Sequence, residues 1–250
     1  DIPKATPLAL DPIDGQLLSL IEDICEGPVR KKFNVSLSDF INILELIGDK
    51  PLYESGVDEY LMVDDSITPT TVRMILDEAT GELVLTLHTD SGEAFTCVVC
   101  GGKGWILQDG IFSRLESVLP GKLRDIYDSE IRIPRASIPA FMKKEFRILE
   151  KMVRAETNVT PDMLSLTPAT PKLRLAIEGT PSALSAQLHA EYGIVQLVAG
   201  RNEALGRFTL PSKDGFLNFD VRNPDAEQNA LNLLSEVGFK GSQGDMLIPL

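Results

Sequence analysis

The sequence predicts an α+β fold of antiparallel β-meanders with packed helices, arranged as two successive β-rich units. Three observations carry this expectation. Short apolar runs of period two alternate with Gly- and Asp-containing turn signals over 71–115 and again over 172–221. Segments of helical period with marked ends flank these runs. Between them, "TNVTPDMLSLTPATP" (157–171) holds three prolines and four threonines, which is linker chemistry. The expected division is 1–157, a helical start with a β-meander and a basic amphipathic helix, and 158–250, a smaller β-rich unit closed by a helix.

Each element follows in order. Leu17, Leu20, Ile21 and Ile24 recur at helical spacing until Gly27–Pro28 stops the run. In "SLSDFINILELIG", Ser36 and Asp39 can form a capping box. Leu37, Phe40, Leu44 and Ile47 make one face, and Gly48 stands at the C-terminal cap. The acidic, Pro-punctuated segment 49–70 matches neither period. From Thr71 the period becomes two: "VRMIL", "LVLTLHT", "AFTCVVC", "WILQ" and "IFSRL" read as one antiparallel meander, with "DEATGE", "DSGE", "GGKG" and "DG" as its turns and "PGKLRD" closing it.

The stretch "IPAFMKKEFRILEKMVR" predicts one helix. Ile138, Met142, Phe146, Leu149 and Val153 form its apolar face, and Lys143, Lys144, Arg147, Lys151 and Arg154 form the other. After the linker come "KLRLAI", "LSAQLHA", "GIVQLVA", "RFTL" and "FLNFDV" as strands. The final helix is capped by Asn223, has Pro224 in its first turn, turns Ala230, Leu234 and Val237 inward, and ends at Gly238. "LVLTLHTDSG" (83–92) and "LSAQLHAEYG" (184–193) share L-x-x-x-L-H-x-x-x-G, the match expected either of chance or of a duplicated domain of about a hundred residues.

Composition bounds the function. At 250 residues and 43% hydrophobic, the chain can bury a sizeable core, and no apolar run reaches the roughly 18 residues of a membrane span. The N-terminal stretch "DIPKATPLALDPIDG" has neither the basic start nor the apolar middle of a signal peptide. Beginning without Met, it points to a segment of a longer polypeptide. Cys25, Cys97 and Cys100 are too few for a disulfide framework, so reduced thiols and a cytoplasmic setting are expected. The net charge of −13 argues against a surface built mainly to neutralise nucleic-acid phosphates. Residues 1–125 carry 22 acidic against 10 basic side chains, and 126–250 carry 15 against 14, so the acidity belongs to the first half.

Several apparent motifs dissolve. "CVVCGG" offers half a zinc knuckle, but a structural site needs four ligands. On a strand Cys97 and Cys100 would face opposite ways as small hydrophobes. "GGKG" lacks the phosphate loop's first Gly and its Ser or Thr after the Lys, leaving a Gly-rich hairpin. "MILDEATG" resembles a helicase acidic box, yet it joins two apolar runs as a solvated turn. With two histidines, no G-x-S-x-G and no H-E-x-x-H, the sequence assigns no catalytic, cofactor-binding or metal residues. The basic face remains. Residues 130–154 carry seven basic and three acidic side chains, either a solvated outer face or a docking strip for nucleic acid or an acidic partner.

The order of elements carries a resemblance. "PLYESGVDEYLMVDD", then "GGKGWILQDGIF", "IRIPRASIPAFM", "LRLAIEG…LSAQLHAEYG" and "NPDAEQNALNLLSEVGF" together resemble the helicase-associated region upstream of the motor lobes in bacterial Swi/Snf-type proteins. Tyr192–Gly193 and the pattern Glu227, Leu231, Leu234, Gly238, Phe239 carry it best. The resemblance spans about residues 36–250 and implies a non-catalytic accessory region of a DNA-dependent ATPase (helicase-like translocase). It would pack on or regulate motor lobes of the same polypeptide and meet DNA only indirectly. It implies no cofactor, membrane or small-molecule substrate for this chain, and no family catalytic residue falls within it. The competing expectation is an acidic protein–protein interaction scaffold without a motor. The candidate contact surface is Lys143, Lys144, Arg147, Lys151 and Arg154.

Overall fold

The computed structural model describes residues 11–29, 32–48, 50–53, 60–180, 183–200, 209–212, 215–242 and 245–247. In chain order they form α1 (Pro12–Ile24), α2 (Leu37–Ile47), β1 (Leu52–Tyr53), β2 (Tyr60–Thr68), β3 (Thr70–Leu76), β4 (Leu83–Thr89), β5 (Thr96–Cys100), β6 (Lys103–Gln108) and β7 (Ile111–Leu115). Then come β8 (Ile131–Ile133), α3 (Ile138–Lys143), α4 (Glu145–Met152), β9 (Arg154–Thr157), β10 (Ser165–Pro168), β11 (Lys172–Thr180), β12 (Ala183–Tyr192) and β13 (Val195–Val198). The chain continues through β14 (Thr209–Pro211), β15 (Asn218–Val221), α5 (Pro224–Glu236), β16 (Lys240–Ser242) and β17 (Asp245–Leu247). The fold is α+β. No helix among the described residues is long and apolar enough to cross a membrane.

Contacts divide the chain into two compact units. The first gathers 1–77, 83–133 and 143–159; the second gathers 78–82, 134–142 and 160–250. Residues 78–82 and 134–142, which a linear division at 157/158 gives to the first unit, therefore cluster with the second.

In the first unit both N-terminal helices start on side-chain caps. Asp11 accepts from the Asp14 N–H at 2.8 Å. Ser36 Oγ accepts from the Asp39 N–H at 3.1 Å, one half of the expected capping box, but the Asp39 carboxylate accepts from the Ser36 hydroxyl at 2.6 Å rather than from its backbone N–H. Ile41, Leu44 and Ile47 of α2 pack with Val63, Trp105 and Phe112 into one core, joined by Phe40, Val98 and Cys100. Leu37, expected on that face, lies in the first turn and stays 60% exposed; Ile41 takes its place.

The single meander expected over 71–115 is two sheets. β5, β6 and β7 do form an antiparallel meander, extended by β2 and β1, while β3 and β4 belong to a second sheet in the order β8-β4-β3-β9. β2 pairs parallel with β7, and β3 parallel with β9. Parallel partners lie far apart in the chain, so local periodicity cannot place them. β2 itself escaped the sequence because its register shifts between Val63 and Ile67, which interrupts the alternation.

The basic helix also needs correction. It is two helices, α3 and α4, separated at Lys144 (φ −116°, ψ −68°), and Arg154 is not helical. Arg154 begins β9, which aligns with Thr71 of β3, so a distant strand overrides the local period. Neither Gly nor Pro marks the break at Lys144. The expected apolar face is nevertheless buried throughout: Ile138, Met142, Phe146, Leu149 and Val153.

The second unit contains two sheets, β10-β15-β14 and β11-β12-β17-β16, with β13 also paired to β12. The expected linker thus contains strand β10, held parallel to β15. Ala186, Leu188, Ala190 and Tyr192 from β12 pack with Leu231 of α5, joined by Leu210, Leu234 and Phe239. α5 starts at Asn223, whose side chain accepts from the Ala226 N–H at 3.1 Å. It ends in a Schellman motif: Gly238 has φ +100°, its N–H donates to Ser235 O, and the Phe239 N–H donates to Leu234 O at 3.0 Å. Val237 therefore sits at the cap, 70% exposed rather than inward, and Leu231 is the buried contact.

Candidate functional site

Lys143, Lys144, Arg147, Lys151 and Arg154 are all exposed and all belong to the first unit. Lys144, Arg147 and Lys151 stand at i, i+3 and i+7, a stripe about 10 Å long on the outer face of α4. Ile148 lies in the same stripe, 43% exposed. Lys143, at the end of α3, adjoins the stripe in sequence, while Arg154 lies on β9 with its guanidinium 3.8 Å from Glu156. Lys143, Lys144, Arg147 and Lys151 make no ion pair with any described residue.

Several other cations of this unit are paired, although Lys32 and Lys122 are also exposed with no ion pair to a described residue. Lys50 bridges Asp11 at 2.6 Å and Asp14 at 2.5 Å, and this hydrogen-bonded contact holds the Asp11 carboxyl below its ordinary value. Lys103 meets Glu45 at 2.6 Å, and Arg114 meets Asp65 at 3.0 Å while lying over the Trp105 ring. Asp64 is bound by Ser66 through its N–H and its hydroxyl. Of the acidic segment 49–65, residues 49 and 54–59, including Asp58 and Glu59, lie outside the described residues.

"CVVCGGKG" is the β5–β6 hairpin. Cys100 pairs with Lys103 across Gly101–Gly102, and Gly101 has φ +62°, the left-handed value that a turn of this length requires. A Cβ on Gly104 would come 2.5 Å from Leu115 Cδ1, so the third glycine serves close packing rather than phosphate. Cys100 joins the α2 core, whereas burial, and then Asp128, push the Cys97 thiol up to about 12. A thiol so far from ionising is a poor metal ligand and nucleophile at neutral pH. Among the described residues no group of three or more His, Cys, Asp or Glu is placed to hold a metal ion.

The second unit holds a fully buried carboxylate. Glu227 lies in the first turn of α5, and Arg222 just ahead of the helix cap donates to it twice, Nε to Oε1 at 2.8 Å and Nη2 to Oε2 at 2.7 Å. The Tyr192 hydroxyl donates to Oε1 at 2.7 Å and the Gly200 N–H to Oε2 at 2.9 Å. Burial alone would raise the Glu227 carboxyl, but these donors outweigh it and hold it below the ordinary range. Burial and then the hydrogen bond to Glu227 push the Tyr192 phenol up to about 12. Thus Tyr192 and Glu227, two of the residues that carry the Swi/Snf-type resemblance, meet although 35 positions apart. An open groove of about 720 Å³ adjoins Tyr192, lined by Pro168, Tyr192, Ile194, Pro211 and Asp220 among others.

Two residues in this unit have roles the sequence did not announce, Arg222 and Arg135, the latter read only as leading, with Arg132, into the basic stretch 130–154. Arg222 stands five positions from Glu227, outside helical spacing, because it precedes the helix. Arg135 donates to the carbonyls of Phe216 (2.8 Å), Ser212 (2.8 Å), Asn218 (3.3 Å) and Gly215, with its guanidinium 5.8 Å from the Phe216 and Phe219 rings. It closes the β14–β15 connection, and no local pattern announces partners some eighty residues away.

No protein-family model matches the chain, and neither curated proteins nor solved structures give a match.

Proposed function

We propose that this chain is a non-catalytic accessory region of a Swi/Snf-type DNA-dependent ATPase. The stripe Lys144, Arg147 and Lys151, with Lys143 and Arg154 at its margins, is its contact surface for an acidic face of the motor in the same polypeptide. One observation carries this reading most. Lys143, Lys144, Arg147 and Lys151 stand exposed in one short stretch with no ion pair to a described residue, as Lys32 and Lys122 do elsewhere in the unit, while Lys50, Lys103 and Arg114 lie against carboxylates. The quoted pieces of the resemblance add to it, since Tyr192, Glu227, Leu231, Leu234 and Phe239 all belong to one framework around α5. Glu227, the most buried carboxylate among the described residues, is saturated by donors from the fold and has no oxygen left for a reacting group.

The test is charge reversal at Lys143, Arg147 and Lys151 in the full-length protein. The expected result is a drop in DNA-stimulated ATP turnover together with weaker, salt-sensitive contact with the motor. Turnover and contact both equal to the parent's overturn the assignment. A salt-sensitive partner captured where no motor is present would favour the scaffold instead.

A further inference from the structure

We propose that β11 is a self-association edge through which two copies of this chain pair antiparallel, in a register centred on Leu175. β11 spans nine residues and pairs along its whole length with β12 on one side. On its other side it has no strand among the described residues. Proteins usually blunt such an edge with a short strand, an internal proline, a charge pointing inward, or Lys and other charged side chains along it. β11 has only the last, in Lys172, Arg174 and Glu178, and these are of mixed sign: Pro171 and Pro181 lie just outside it, and its core-facing side is Leu173, Leu175 and Ile177. Leu175 packs against the α5 core, whereas Leu173 and Ile177 stay 42% and 54% exposed.

The pattern of charge selects a second copy as the occupant. The opposite side of β11 carries Lys172, Arg174, Ala176 and Glu178, basic at one end and acidic at the other. A two-fold axis at Leu175 sets Lys172 opposite Glu178 of the copy, and Arg174 diagonal to that same Glu178, twice over by symmetry. On the other side it sets the two half-exposed residues, Leu173 and Ile177, opposite each other. Directly opposed side chains in antiparallel strands have Cβ atoms about 5 Å apart, and diagonal ones remain within reach of long side chains. The charged groups are available for this. Lys172 and Arg174 approach Glu191 only at 3.9 and 4.0 Å, and Glu178 makes no ion pair with any described residue. The register covers Lys172–Glu178, with Pro171 before it and Gly179 (φ +128°), the next-to-last residue of β11, after it.

The experiment is sedimentation equilibrium of the whole chain with a two-component mixing arm. The parent should dimerise reversibly at concentrations up to about 100 µM, the range in which a contact of modest size becomes populated. Glu178→Lys makes the outer side wholly basic, and the pair Lys172→Glu with Arg174→Glu makes it wholly acidic. Each variant alone should dimerise at least about tenfold more weakly, since like charges then stand opposite. Mixed in equal amounts the two variants should restore a dimer, because every opposed pair is again complementary. A parent that stays monomeric throughout this range overturns the proposal. So do single variants that dimerise as the parent does, or a mixture that stays monomeric.

Discussion

Arg222 and Arg147 carry the same guanidinium into opposite circumstances. Arg222 is 8% exposed and gripped by a carboxylate of zero exposure, while Arg147 stands in solvent with no described partner. A buried charge persists only when its partners are complete, so Arg222, Glu227 and Tyr192 are framework. An exposed charge adds little to folding and is free to meet another surface. The contrast separates the charges that shape this chain from those available to act outside it.

The largest expected effect lies on the buried side. Glu227→Gln should destabilise the second unit by about 3–5 kcal/mol, because it leaves the Arg222 guanidinium uncompensated. Denaturant unfolding measures this, and a variant removing both Arg222 and Glu227 in favour of Met and Leu should lose less than the two single changes summed. A loss near zero for Glu227→Gln would erase the distinction between the two arginines.

Tyr192→Phe should cost about 1.5–3 kcal/mol, the range for a hydrogen bond to a charged group. In the parent, alkaline spectrophotometric titration should show a tyrosine component near 12, and this component should vanish in Tyr192→Phe while Tyr127, whose phenol burial also raises, still titrates late.

Acid sharpens the same contrast. Glu227 titrates below its ordinary value in the folded chain, so its contribution is complete above the unfolded carboxyl value of about 4.3 and is lost as pH falls through the lower folded value. Thermal melts across that acid window should steepen in the parent and flatten in Glu227→Gln. Reversal of Lys143, Arg147 and Lys151 should leave the acid profile unchanged. It should also shift stability at neutral pH by no more than about 0.5 kcal/mol, the smallest effect in the series.

Much of the fold was legible where local rules act alone. Ser36 with Asp39, Asn223 with Pro224, and Gly238 marked helix ends because caps are made by neighbours in sequence. β4 was legible as "LVLTLHT" because its alternation has no bulge. Sheet membership was not legible, since β9 and β10 find parallel partners far along the chain. At the sites, the exposed cations could be read from composition. The Arg222–Glu227–Tyr192 network could not, because it joins three elements that share no spacing rule.

The most direct test of the proposal that these cations are the contact surface of an ATPase-accessory region is DNA-stimulated ATP turnover of the full-length protein carrying Lys143→Glu, Arg147→Glu and Lys151→Glu. Turnover should fall while the melting profile of the protein stays that of the parent. Turnover equal to the parent's, with contact to the motor intact, would contradict the account.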